Sequence, residues 1–177
     1  MNIAEQLRQR QSALRDSYRQ NPTLALITDH ASTGSTGPQD PFHGEVRVGG
    51  GPSVPFEFAV HDALGGPHDA PCPGDLLCAA IASCQESSLR MVATLLQVEI
   101  TELQVHARGE VDVRGTLGMD PAVPVGFQSF AVDVRLRVAP STDAQRVGQL
   151  TRAAERSCVV IQTLRRGTPV TVSFDAG

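Results

Sequence analysis

The segment from Asp75 to Leu96 carries neither Gly nor Pro, and its first half is apolar on nearly every side: Leu76, Leu77, Ala79, Ala80, Ile81 and Ala82. A helix of that composition has no face to leave in water, so it predicts a central helix buried on most sides. Its second half turns amphipathic, with Gln85, Glu86, Ser87, Ser88 and Arg90 set among Leu89, Val92 and Leu95. One end belongs to a core and the middle meets something polar. The apolar end needs more cover than the few strands of one copy supply, which points to a homodimer.

The flanking segments decide what surrounds that helix. Ile3 to Arg19 reads as a helix with a thin stripe of Ile3, Leu7, Leu14 and Tyr18, and Thr23 to Thr28 as a short apolar strand. The run from Ala31 to Pro41, rich in Gly, Ser and Pro, reads as a loop. Gly44–Val48 and Val54–His61 read as a hairpin around Gly49-Gly50-Gly51-Pro52, and the following Gly- and Pro-rich run to Gly74 as a surface loop. Beyond the central helix, Val98–Arg114 and Phe130–Val138 alternate as strands with one wet face. Pro140-Ser141-Thr142-Asp143 caps a helix through Val147, Leu150 and Ala154 that ends around Cys158, and Pro169–Phe174 reads as a last strand. The order excludes a parallel, strand-helix alternating architecture. It implies an α+β fold, with antiparallel sheet wrapped around a long central helix.

A chain of 177 residues suits one compact domain. Fifteen basic residues, all Arg, are scattered against nineteen acidic ones, so nucleic acid is not an expected partner. The N-terminus is polar and no segment has the apolar length a bilayer demands, so a soluble, cytoplasmic protein without a membrane partner is expected.

Four cysteines in a reducing compartment are seldom structural disulfides. Cys78 and Cys84 share the central helix, where six residues separate them by about 9 Å along the axis and about 120° around it. That is too far for a bridge, so any partner of Cys84 lies elsewhere. Cys84 and Cys158 each sit at a border between polar and apolar sequence, which leaves inert buried thiols and a redox pair both open. A metal set of His68, Cys72, Cys78 and Cys84 has no Cys-x2-Cys unit and diverges along the helix, so no metal is expected of it.

The stretch Pro73-Gly74-Asp75-Leu76-Leu77-Cys78-Ala79-Ala80-Ile81-Ala82-Ser83-Cys84 resembles the OsmC and organic hydroperoxide resistance family, whose hallmark is a Pro-led helix with a Leu-x-Ala-Ala core ending in a reactive Cys. Gly109–Gly115 and Gly126–Val138 are similar to the strands that follow, and Cys158 to the second Cys. The resemblance covers residues 40–177, which leaves 1–39 as an N-terminal helical extension. It implies an intertwined homodimer and a thiol-dependent peroxidase acting on organic hydroperoxides or hydrogen peroxide, in which Cys84 attacks the peroxide and Cys158 resolves the sulfenic acid as a disulfide. A dithiol is then the reductant, and no cofactor or metal is implied.

The chain also departs from the family's pattern. Gly74 stands where the family carries a Glu, no Arg occurs from Phe56 to Gly74, and Val159 replaces the Pro that follows the second Cys. Asp75 is the candidate to replace the Glu, and Arg47 the candidate cation, with His61 an outside one. A helix-terminal carboxylate and an exposed strand residue are their plain alternatives. The missing pair favours a second function, a non-catalytic OsmC-like dimer that binds a small apolar ligand.

Overall fold

A computed structural model describes residues 2–34, 40–49 and 54–175 of the chain. Its first element, α1 (Ile3–Gln20), begins at a capping box: Asn2 Oδ1 accepts the Glu5 N–H at 2.9 Å while the Glu5 carboxylate accepts the Asn2 N–H at 3.0 Å. No residue of α1 is buried, as its thin stripe implies.

Two expectations for the next segment fail. Residues 23–28 form no strand; Pro22–Ala25 make a 3-10 turn, started by Pro22 and by Asn21, whose side chain accepts the Thr23 N–H at 3.2 Å. The polar run taken for a loop instead opens with strand β1 (Ala31–Gly34), fully exposed and paired antiparallel with β2 (His43–Val48). Main-chain hydrogen bonds need no apolar side chains, so composition hides such an edge strand. β2 also pairs antiparallel with β3 (Phe56–Ala59), Val46 standing opposite Phe56, as the hairpin expectation requires. Most of its turn, residues 50–53, lies outside the described residues.

The central helix α2 (Pro73–Leu96) starts with Pro73 in its first turn, where a missing N–H costs nothing. β4 (Ile100–Val111) follows, with Leu103, Val105 and Ala107 on the more covered face, as their alternation predicts. It stops short of Arg114 because Asp112 caps a one-turn helix, α3 (Val113–Thr116), accepting the Arg114 N–H at 3.1 Å. β5 (Phe127–Val138) pairs with β4. The contacts Glu99 with Ala139, Glu102 with Arg135 and Glu110 with Ser129 run in opposite senses along the two segments, so the pair is antiparallel.

Asp143 caps α4 (Ala144–Ser157) by accepting the Arg146 N–H at 2.7 Å, and Cys158 ends it. A further helix, α5 (Val159–Arg166), was not expected from the sequence. The last expected strand is not formed: residues 169–174 have no sheet partner among the described residues, and Val170, Val172 and Phe174 lie exposed. Their alternation is that of a strand, but a strand needs an edge to pair with.

The chain divides into two compact units, Met1–Ala79 with Ala107–Ala131 and Ala80–His106 with Val132–Gly177. In the first, the ring pair Phe127–Phe130, with centroids 4.7 Å apart, packs onto Gly109, where an added Cβ would stand 2.6 Å from Phe127. The second holds the main core, in which Leu89 and Ala93 of α2 meet Val98 and Leu150 and Ala154 of α4, flanked by Leu103, Val105, Leu136 and Val138 of the strands. The apolar first half of α2 is less covered than expected, with Ala79 and Ala80 exposed and Leu76, Leu77 and Cys78 half-buried in the single chain. No helix among the described residues is long and apolar enough to cross a membrane.

Candidate functional site: two thiols on α2 and α4

Of the four cysteines, all reduced, Cys84 and Cys158 meet within the second unit. Cys158 is fully buried, whereas Cys84 is half-buried on the shoulder of the stripe Ile81, Gln85, Ser88 and Leu89. Burial pushes the Cys158 thiol above its ordinary pKa, and a hydrogen bond with the Cys84 side chain pushes in the same direction. The backbone N–H groups of Ile161 and Val160 act against it.

Local sequence fixes where the Cys158 sulfur points. Leu150, Ala154 and Cys158 recur at intervals of four, so Cys158 continues the buried face of α4. Its extended backbone, φ −75° and ψ 101°, ends α4 and begins α5 at the same residue. The bend is clamped from α5: Gln162 Nε2 donates to the Glu155 carbonyl at 3.0 Å, and Arg165 pairs with the Glu155 carboxylate at 2.7 Å. These contacts cap the end of α4 and hold the thiol in place.

The other candidate residues Asp75, Arg47 and His61 belong to the first unit. Asp75 lies nine positions before Cys84 on α2, in its first turn. Its carboxylate serves the start of the helix: Oδ2 accepts the Cys72 N–H at 2.9 Å and lies 3.2 Å from His68 Nε2. Those two contacts, the backbone one first, hold the Asp75 pKa below the usual carboxylate value. Arg47 is exposed on β2, opposite Ser32, in the unit that lacks both thiols. His61 stacks on His68 with ring centroids 4.1 Å apart, and Glu86 pairs with Arg90 at 3.1 Å one turn along α2. Cys72 is buried, and burial raises its thiol pKa, with its hydrogen bond to the Asp75 carboxylate adding to the effect. Gly74 has a packing reason: an added Cβ would stand 3.1 Å from the Phe127 ring and 3.4 Å from Cys72 Sγ, so a larger residue there requires Phe127 to move.

One feature escaped the sequence reading. Gln85, only 6% exposed, has an Oε1 without a hydrogen-bond partner among the described residues. A buried acceptor of this kind is met by a bound water or a ligand hydroxyl, and it stands next to Cys84 in sequence. The signal was present, because Gln85 occupies the core stripe between Ile81 and Leu89, one turn from each.

Solved structures share this architecture. An organic hydroperoxide resistance protein OsmC from Legionella pneumophila is 21% identical and superposes with a TM-score of 0.56 over 79% of this chain and 90% of its own. An OsmC-like protein from Mycoplasma pneumoniae, 10% identical, gives 0.61 over 78% and 88%. An OsmC-like protein of unknown function from Vibrio cholerae, 8% identical, gives 0.63 over 78% and 94%. At these identities the likeness establishes the fold. No curated protein matches the sequence. The profile of the family described as OsmC-like protein matches residues 66–173, more than half of the sequence, and the chain therefore belongs to the OsmC-like protein family.

Proposed function

We propose that this protein is a thiol-dependent peroxidase that reduces organic hydroperoxides or hydrogen peroxide through Cys84 and Cys158. The reading is carried by the approach of a half-buried Cys84 thiol to a fully buried Cys158 thiol, whose pKa is raised by burial and by the neighbouring Cys84. The more open sulfur is the one a peroxide can reach, and the enclosed one is kept as a thiol until it is needed. Names of structural relatives, organic hydroperoxide resistance proteins among them, point to the same substrate class.

The Cys84 thiolate attacks one peroxide oxygen, the O–O bond breaks, and the departing alkoxide takes a proton to leave as alcohol or, from hydrogen peroxide, water. Cys84 is left as sulfenic acid. The Cys158 sulfur then attacks the Cys84 sulfur, the disulfide forms, and the sulfenic oxygen departs as water. A dithiol reductant returns the pair to thiols by exchange. The working form is a homodimer, whose second copy covers the exposed Ala79–Ala80 surface of α2 and the unpaired Val170, Val172 and Phe174. Asp75 serves the start of α2, and with Arg47 it stays a candidate to replace the carboxylate and the cation of the family's pattern. Residues 40–177 form the working domain with α1 as an accessory, and four reduced cysteines suit the cytoplasm.

One equivalent of an organic hydroperoxide should be consumed per chain and should join Cys84 to Cys158, as read by peptide mapping with mass spectrometry. Cys84→Ser should abolish consumption, while Cys158→Ser should keep the first turnover and trap Cys84 as sulfenic acid. A bridge from Cys84 to Cys72 would reassign the resolving role. If Cys84 reacts no faster than an ordinary exposed thiol, the alternative stands: a non-catalytic dimer binding a small apolar ligand, which the closed packing around Gly74 in place of the family's Glu favours.

A further inference from the structure

A second cluster of ligating side chains lies in the first unit, in the loop that leads to α2. His68, Cys72 and Asp75 bring a ring nitrogen, a sulfur and a carboxylate oxygen within 4.8 Å of one another. We propose that these three residues bind one divalent ion of the zinc class, through His68 Nε2, Cys72 Sγ and the Asp75 carboxylate, with a fourth position open to solvent.

One separation fits the ion directly, and all three donor atoms lie within 4.8 Å of one another. Tetrahedral zinc, with bonds of roughly 2.0 Å to nitrogen or oxygen and roughly 2.3 Å to sulfur, holds its ligands about 3.3–3.8 Å apart. His68 Nε2 and Asp75 Oδ2 already stand 3.2 Å apart, joined by a proton whose place the ion would take. The nitrogen, sulfur and oxygen donors together suit a borderline ion such as zinc better than magnesium or calcium, which favour oxygen alone. With Nε2 on the metal, the imidazole proton moves to Nδ1, and Asp62 Oδ1 stands 3.7 Å from that nitrogen. That is beyond hydrogen-bond reach, so Asp62 must close in on binding to give the carboxylate-to-histidine support that metal-bound imidazoles commonly have. His61, Asp62 and His68 bring their ligand atoms within the same reach and share His68, but that set holds no sulfur, so a metal–thiolate bond distinguishes the two.

The sequence spacing His68-x3-Cys72-x2-Asp75 supplies the arrangement locally. Cys72 immediately precedes Pro73, and the first turn of α2 carries Asp75 back over it, so that the Cys72 N–H and the Asp75 carboxylate bond at 2.9 Å. Cys72 closes the buried side of the site while His68 and Asp75 leave the other side accessible to an entering ion. Binding exchanges the Cys72 thiol proton, released to solvent, for a metal–thiolate bond. The ion would staple the loop at residues 61–72 to the start of α2, independently of the Cys84–Cys158 pair.

The probe is cobalt(II), titrated into the full reduced chain without oxidant. One ion per chain should bind and give the near-ultraviolet charge-transfer band of a thiolate–cobalt bond. Cys72→Ser should remove that band, whereas Cys84→Ser and Cys158→Ser should keep it. His68→Ala should also remove it, and decides the matter should Cys72→Ser fail to fold by circular dichroism. Asp62→Asn should weaken binding about 10- to 100-fold while keeping the band. The proposal is overturned if saturating cobalt gives no thiolate band, or if the band survives in Cys72→Ser and vanishes in Cys84→Ser.

Discussion

Replacing Cys158 by Ser and by Ala should give an order of stability that its dual position dictates. Cys158 is fully buried, so exchanging sulfur for a hydroxyl carries a desolvation cost of about 1–3 kcal/mol if the hydroxyl finds no partner. The residue is also the N-cap of α5, where the Val160 and Ile161 N–H groups face the wild-type sulfur without completing a cap hydrogen bond. Serine is among the best N-cap residues, and the N–H groups of Val160 and Ile161 stand at the two positions a cap bonds, worth about 1 kcal/mol. The cap bond supplies the partner that removes most of the burial cost, and Cys158→Ser should melt close to wild type. Alanine gains no cap and removes a methylene-sized group from a closed site, at about 0.8 kcal/mol before the cavity adds to it. Cys158→Ala should therefore be about 1–2 kcal/mol less stable than Cys158→Ser, a gap of about 2–8 °C in Tm for a chain of this size. The assay is thermal unfolding followed by circular dichroism with reductant present. If the Ala variant melts at or above the Ser variant, the placement of Cys158 at the start of α5 is wrong.

Asp75→Ala should lower Tm by about 2–4 °C, the effect of losing about 1 kcal/mol of helix capping. Because its folded pKa is depressed, chiefly by the Cys72 N–H and then by His68, that contribution is complete above the ordinary carboxylate value near 4. It fades as pH falls through the lowered value, so wild-type and variant melting curves should converge in acid. Removal of residues 1–20 should leave a folded protein by circular dichroism, since α1 buries nothing; an unfolded product would place α1 in the core. Sedimentation at micromolar concentration should give a dimer, and a stable folded monomer would remove the proposed cover over α2.

The parts of the fold that were legible in the sequence are those held by apolar periodicity. α2, β4, β5 and α4 each carry a stripe that only one secondary structure satisfies, and each appears where its stripe predicts. What failed depends on the main chain or on a missing neighbour. Among the described residues β1 is a polar strand paired only with β2, and the alternating tail at Val170, Val172 and Phe174 has a strand's pattern but no sheet partner. α5 escaped notice because its beginning is set by a backbone turn at Cys158 that has no capping side chain to announce it.

The thiol pair lies between these cases. No spacing rule joins residues as distant in sequence as Cys84 and Cys158, and the family resemblance supplied the pairing. Yet a physical route to it was available. Leu150, Ala154 and Cys158 stand at intervals of four, and Leu150 and Ala154 enter the same core as Leu89 and Ala93. A residue one further turn along that face of α4 keeps facing α2, provided the two helices run side by side for another turn. Cys84 stands between Ile81 and Ser88, three residues from one and four from the other, on the shoulder of the same buried stripe. Two stripes that pack against each other carry their cysteines with them. Spacing therefore limits which thiols can meet through the faces it assigns them, while the approach itself is set by the core that joins those faces.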